Sequence, residues 1–136
     1  MNISIIMPLY HADKRILKII EKKIKSQKYR GKIEIIKVDK NLGLAESMNY
    51  GIKRAKHEII VILHQDCIPK DNDWLASLVR PLKNKDVIAS VSDVILPEKV
   101  WQDFDLISKV LTLKECGTIT PLLDEKGCAY KKSALI

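Results

Sequence analysis

Five consecutive aliphatic residues, Ile59-Ile60-Val61-Ile62-Leu63, stop abruptly at His64-Gln65-Asp66-Cys67-Ile68-Pro69. A mostly β-branched run of this length suits a strand covered on both faces, which is the habit of parallel sheets in α/β proteins. Ligands of such sheets lie outside the carboxyl ends of the strands, so the polar residues closing the run stand where chemistry is expected. His64 and Asp66 are two apart; on an extended backbone their side chains leave the same face and converge on one cation. An ordinary polar strand end, finished by Asp and then Pro, is the competing reading.

The flanking pattern extends the α/β assignment. Ile3 to Met7 form an apolar run closed by Pro8, and Ile16, Leu17, Ile19, Ile20 and Ile24 then recur at helical spacing with basic residues opposite. Ile33 to Val38 make a second β-rich run ending at Asp39. A second helix is expected from Leu44 through Met48, Ile52 and Ala55, with Asn41 available as its cap. Beyond the opening run, Asp71-Asn72-Asp73 offer caps for a helix bearing Leu75, Leu78, Val79 and Leu82; Val87 to Ile95 read as a strand. Pro97 starts one further helix through Val100, Phe104, Ile107 and Leu111. Strand, helix, strand, helix, strand implies a mostly parallel sheet with helices on both faces, a three-layer α/β/α arrangement within one domain over residues 1–136.

Composition excludes several classes. A hydrophobic fraction of 46% with mixed charge is globular, and no apolar segment approaches the roughly 20 residues that cross a bilayer. Cys67, Cys116 and Cys128 are widely spaced and form no Cys-x-x-Cys pair, which fits a reducing cytoplasm better than a disulfide framework or a zinc site. The net charge of +7 is unevenly placed: up to Ile60 there are 14 Lys and Arg against 6 Asp and Glu. Much of that excess sits on or just beyond the first helix, from Lys14 to Lys32. A solvated helix face, or attraction to phosphates or an anionic membrane surface, would use it. Few aromatics interleave with it, so nucleic acid is not the expected partner.

Three successive strand ends carry Pro8-Leu9-Tyr10-His11, Asp39 and His64-Gln65-Asp66, and parallel pairing would open all three onto one crevice. An acid ending the second strand suits a ribose hydroxyl or base N–H, and an aromatic ending the first suits a base face. The first turn lacks the Gly-x-Gly-x-x-Gly of dinucleotide-binding domains, and no Gly-x-x-x-x-Gly-Lys-Ser/Thr segment exists. Phosphates would then be held by a cation.

These residues resemble the GT-A type glycosyltransferases of family 2, nucleotide-sugar-dependent enzymes with a Rossmann-like fold. The resemblance rests on Ile3-Ser4-Ile5-Ile6-Met7-Pro8-Leu9-Tyr10, on Ser26-Gln27-Lys28-Tyr29 followed by Ile33 to Asp39, and on Asn41-Leu42-Gly43 with Asn49-Tyr50-Gly51-Ile52 and Ala55. His64-Gln65-Asp66 stands where the family places Asp-x-Asp. The resemblance implies a nucleotide-diphospho-sugar site of Pro8, Leu9, Tyr10, Asp39, Asn49, Gln65 and Asp66. It also implies Mg²⁺ or Mn²⁺ at Asp66, with His64 beside it, and transfer of the sugar to a saccharide or lipid-linked acceptor hydroxyl with inversion. The His-Gln-Asp variant resembles rhamnosyltransferase-like members and hints at a deoxysugar donor.

Three departures bear on these expectations. His64 replaces a leading acid, which leaves Asp66 as the stronger ligand for a hard cation. Asp39 is followed almost at once by Asn41-Leu42-Gly43, so one edge unit of the family is expected to be missing. Gly127 to Lys132 resemble the entry to the acceptor side, so a C-terminal segment carrying the catalytic base is expected to be lacking. Asp93, Asp124 and Glu125 are the remaining carboxylates considered there, and none is named as base. The alternative function is a non-catalytic module of the same fold that meets a membrane surface or partner through its basic helix. Either would place the chain in the cytoplasm, or peripherally at the inner face of the membrane.

Overall fold

The computed structural model describes residues 1–112 and 126–136. Its sheet runs β2 (Ile33–Val38), β1 (Ile3–Pro8), β3 (Ile59–Leu63), β5 (Gly127–Lys131), β4 (Ala89–Val91). β1 pairs in parallel with β2 and with β3, in register Ile5 with Ile35 and Ile5 with Val61. β5 lies antiparallel between β3 and β4. The α/β class and mostly parallel sheet are therefore as expected.

Strand alternation sorts the core into two halves. Ile3, Ile5, Met7, Ile59, Val61 and Leu63 face one side, where Ile20 and Ile24 of α1 (Lys14–Lys25) and Leu75, Leu78 and Val79 of α3 (Trp74–Val79) cover them. Ile6, Ile60 and Ile62 face the other, under Ile52 of α2 (Leu44–Arg54) and Ala55. Burying each large aliphatic contributes about 1.5–3 kcal/mol, which explains why a run with no polar face forms the central strand. β2 is the sheet edge and stays half-exposed through most of its length.

Several sequence expectations need correcting. The strand expected over Val87 to Ile95 shrinks to Ala89–Val91, because only those residues pair with β5. The single helix expected after Pro97 is two, α4 (Glu98–Gln102) and α5 (Leu106–Thr112), because Asp105 caps a new start. Its carboxylate accepts from Ser108 N at 3.0 Å and Ser108 Oγ at 2.6 Å, which holds its carboxyl below the usual carboxylate range. Asn41 does not cap α2; Gly43 does, at φ 76°, without a side-chain bond. Nor do Asp71-Asn72-Asp73 cap α3 through their side chains, since Asp71 Oδ1 is taken by Asp73 N. Gln27 Oε1 accepts from Leu75 N at 2.8 Å instead. Cys116, Asp124 and Glu125 lie outside the described residues.

Glu34 ties the edge strand to the sheet interior. Its Oε2 accepts from Lys56 N at 3.0 Å and from the hydroxyl of fully buried Ser4 at 2.7 Å, and these bonds lower its pKa. A depressed carboxyl stabilises the fold above its unfolded pKa of about 4.3, and that stability is lost as pH falls through the lower folded value. Glu34→Gln is therefore expected to melt below wild type at pH 7, with the gap closing below about pH 4 in a melting series across pH.

Candidate active site

β1 and β3 end side by side, and their polar extensions form two walls of a cleft of about 370 Å³. Pro8, Leu9 and Tyr10 supply the first wall; His64, Gln65 and Asp66 supply the second. The third is the start of α2, with Asn41 to Leu44 and Ser47. The sequence pattern does not mark that wall as part of a site, although it includes Asn41-Leu42-Gly43. Its signal is Gly43: among the described residues no side chain caps this helix, entered at positive φ, so its first N–H groups are open to an anion. Ser47, only 4% exposed, adds a hydroxyl to the same wall.

The His64-Gln65-Asp66 segment is not an extension of the strand, contrary to the expected two-residue alternation. β3 stops at Leu63; His64 N makes one more rung to Lys126 O at 3.2 Å, and Cys67 N then turns back to His64 O at 3.1 Å. A turn, not the pleat, presents the side chains. Asp66 is exposed on it, with Cys67 Sγ 3.6 Å from its Oδ1. His64 buries its Nε2, which has no hydrogen-bond partner among the described residues. Gln65 is bound at both amide atoms: Oε1 accepts from Tyr10 N at 2.7 Å and Nε2 donates to Tyr10 O at 2.8 Å.

Two expected site residues fall outside the cleft lining. Asp39 is exposed just past β2, whose last residue, Val38, accepts from Leu9 N at 2.9 Å. It shares the carboxyl edge of the sheet but not the cleft. Asn49 is exposed on α2, roughly 200° around the helix from Ser47 and so on the opposite face. Asp93 is exposed two residues beyond β4.

Among the described residues no group of three or more His, Cys, Asp or Glu is arranged to hold a metal ion. The chemistry of the donors fits a shared cation instead: Mg²⁺ is commonly held by one or two carboxylates plus substrate phosphates, and one exposed carboxylate at a cleft mouth meets that need. Asp66 offers an accessible oxygen, whereas the buried Nε2 of His64 does not face solvent.

The description "Glycosyl transferase family 2" belongs to the family model that matches residues 13–135. The chain belongs to glycosyl transferase family 2. Solved structures agree on the family's GT-A fold. PcManGT, a mannosyltransferase from Pyrobaculum calidifontis in complex with GDP-Man and Mn²⁺, is 20% identical with a TM-score of 0.68, over 98% of this chain and 45% of that one. Glucosyl-3-phosphoglycerate synthase of M. tuberculosis is 15% identical with a TM-score of 0.56, over 98% of this chain and 58% of that one. The family 2 domain thus spans about half the length of these neighbours. No curated protein matches the chain.

Gly43 gives the site a simple backbone test. A Cβ there meets nothing within 4 Å, so the cost of Gly43→Ala is conformational only, about 1–2 kcal/mol for holding a non-glycine residue at positive φ. Chemical denaturation is expected to read that loss with an unchanged m-value.

Proposed function

We propose that this domain binds a nucleotide-diphospho-sugar with a divalent cation and belongs to an inverting transferase that moves the sugar to an acceptor hydroxyl. The carrying observation is the cleft itself, in which Asp66, the uncapped start of α2 and the Tyr10 segment meet. Asp66 would ligate Mg²⁺ or Mn²⁺; the N-terminus of α2 and Ser47 would meet the diphosphate; Tyr10, 62% exposed, would lie against the base. Asp39 would reach the nucleoside from the open edge, where β2 has no outer neighbour among the described residues. His64 supports the turn beneath Asp66. When bound, the cation supplies charge stabilisation for the departing nucleoside diphosphate. PcManGT, seen with GDP-Man and Mn²⁺, supports the donor class.

Calorimetric titration with UDP-, GDP- and dTDP-sugars, with and without Mn²⁺, tests this directly. Metal-dependent binding of at least one donor is expected, and Asp66→Ala should weaken it by about 100-fold or more, an effect within the range for removing a charged ligand contact. Binding of no donor, or full binding by Asp66→Ala, overturns the proposal.

A second reading has an observation of its own. The exposed face of α1 carries Lys14, Arg15, Lys18, Lys22 and Lys25, and among the described residues only Arg15 of these is in an ion pair, with Asp13. Among the described residues no helix is long and apolar enough to cross a membrane. This face suits peripheral contact with anionic lipid, at about 1 kcal/mol per cation near the surface. Co-sedimentation with anionic vesicles that vanishes with salt, without any donor binding, would favour an interaction module.

A further inference from the structure

The β1–β3 ladder has a gap where the cleft begins. Backbone register between the two strands ends at Ile6 with Ile62. Beyond it Pro8 has no N–H to give, and β3 turns away after Leu63. Gln65 spans this gap. Its primary amide has the same donor and acceptor as a peptide group, and it makes both bonds to the Tyr10 backbone, at 2.7 and 2.8 Å, across 55 residues of sequence. The next residue, His11, sits at φ 46°, a left-handed conformation that is costly for a non-glycine residue. Its ring meets the Tyr10 ring edge-on at 4.3 Å. A strained turn holds its shape only where neighbours over-determine it, and the paired bonds from Gln65 are the long-range restraint at that point.

We propose that Gln65 is a positioning residue: its amide acts as an artificial ladder rung that locks the Tyr10–His11 turn onto the Asp66 turn and so sets the width of the cleft. The inference rests on the donor reading above, and it gives Gln65, which the family resemblance implies as a nucleotide-sugar contact, a role through Tyr10 and not by touching the nucleotide. Side-chain length matters. Neighbouring strands lie about 4.8 Å apart, and the shorter Asn would not reach the Tyr10 backbone from the same Cα.

The test compares wild type, Gln65→Ala and Gln65→Glu, the last keeping the acceptor for Tyr10 N–H while losing the donor. Amide hydrogen exchange at Tyr10 is read by NMR without ligand, and binding of GDP, UDP and dTDP is titrated in the presence of Mn²⁺. Gln65→Ala is expected to speed Tyr10 exchange about tenfold and to weaken the bound nucleotide by a similar factor, consistent with loss of two exposed hydrogen bonds. Gln65→Glu should fall between, with global melting little changed in both. Weaker nucleotide binding with Tyr10 exchange untouched would mean direct contact and overturn the proposal. Faster exchange with unchanged affinity would reduce Gln65 to a structural bond and overturn it equally. Failure of wild type to bind any of the three nucleotides defeats the donor reading itself, whereas failure of the proposal alone leaves wild-type binding intact.

Discussion

Gly51→Val is expected to cost the chain at least about 3 kcal/mol of stability, and Gly51→Ala up to about 2 kcal/mol. Gly51 is buried on the face of α2 that lies on β1, and a Cβ built there would stand 2.4 Å from Ile6 Cγ2 and 3.2 Å from Ile6 Cγ1. Ile6 is fully buried, and its Cγ2 is fixed by the strand to which it is attached. Relief must come from shifting the helix. Overpacking of this kind costs about 1–3 kcal/mol for one carbon, partly offset by the roughly 1 kcal/mol that Ala gains over Gly inside a helix. Valine adds two more carbons in the same space and has little of that propensity gain, so at least about 3 kcal/mol is expected from a total of about 5–15. Urea denaturation reads the loss. Ile6→Ala removes the three atoms nearest the new Cβ, Ile6 Cγ2, Cγ1 and Cδ1, so Gly51→Ala combined with Ile6→Ala should cost clearly less than the sum of the single changes. Strict additivity would show that the helix does not rest on Ile6 through Gly51.

Gln27→Leu is expected to cost about 2–4 kcal/mol, because it strips partners from several main-chain groups at once. Gln27 is 9% exposed and links three backbone groups: Oε1 accepts from Leu75 N at 2.8 Å, and Nε2 donates to Asp71 O at 2.7 Å and Lys23 O at 3.1 Å. Leu75 is fully buried in the first turn of α3, whose own N-cap, Asp73, makes no side-chain capping bond. Gln27 therefore does the capping of α3 from a residue 48 positions away. Lys28 N to Asn72 O at 2.7 Å and Ser26 Oγ to Asn72 Oδ1 at 3.0 Å extend the same seam. Leucine fills the volume but satisfies none of these groups. Hydrogen exchange at Leu75 should accelerate in step with the loss seen in denaturation; a stability within about 0.5 kcal/mol of wild type would contradict this account.

The seam shows why some elements could be read in the sequence and others could not. Ile59 to Leu63, Ile3 to Met7 and the helical spacing of Ile16, Ile20 and Ile24 carry their structure in local periodicity, and each forms where expected. Asp71-Asn72-Asp73 offered three plausible local caps, yet a distant glutamine won because its amide satisfies a donor and two acceptors together. β5 was invisible for a related reason. Gly127-Cys128-Ala129-Tyr130-Lys131 has no strong β pattern, and it becomes a strand because β3 and β4 supply partners on both sides.

The candidate site divides in the same way. Pro8 to Tyr10 and His64 to Asp66 were legible from hydrophobic runs that stop on polar residues, because a strand end in a parallel sheet has few places to be. The sequence by itself determined the α/β class, the two strand ends that carry the cleft and the family to which the chain belongs. Only the tertiary structure decided that the third wall is the start of α2 and not Asp39, that Asn49 faces away, and that a turn, not the pleat, presents Asp66. Periodicity specifies which face of an element is buried; the angle at which a chain leaves its strand depends on bonds made by residues far away, such as Gln65 to Tyr10, and those exist only once the strands are side by side.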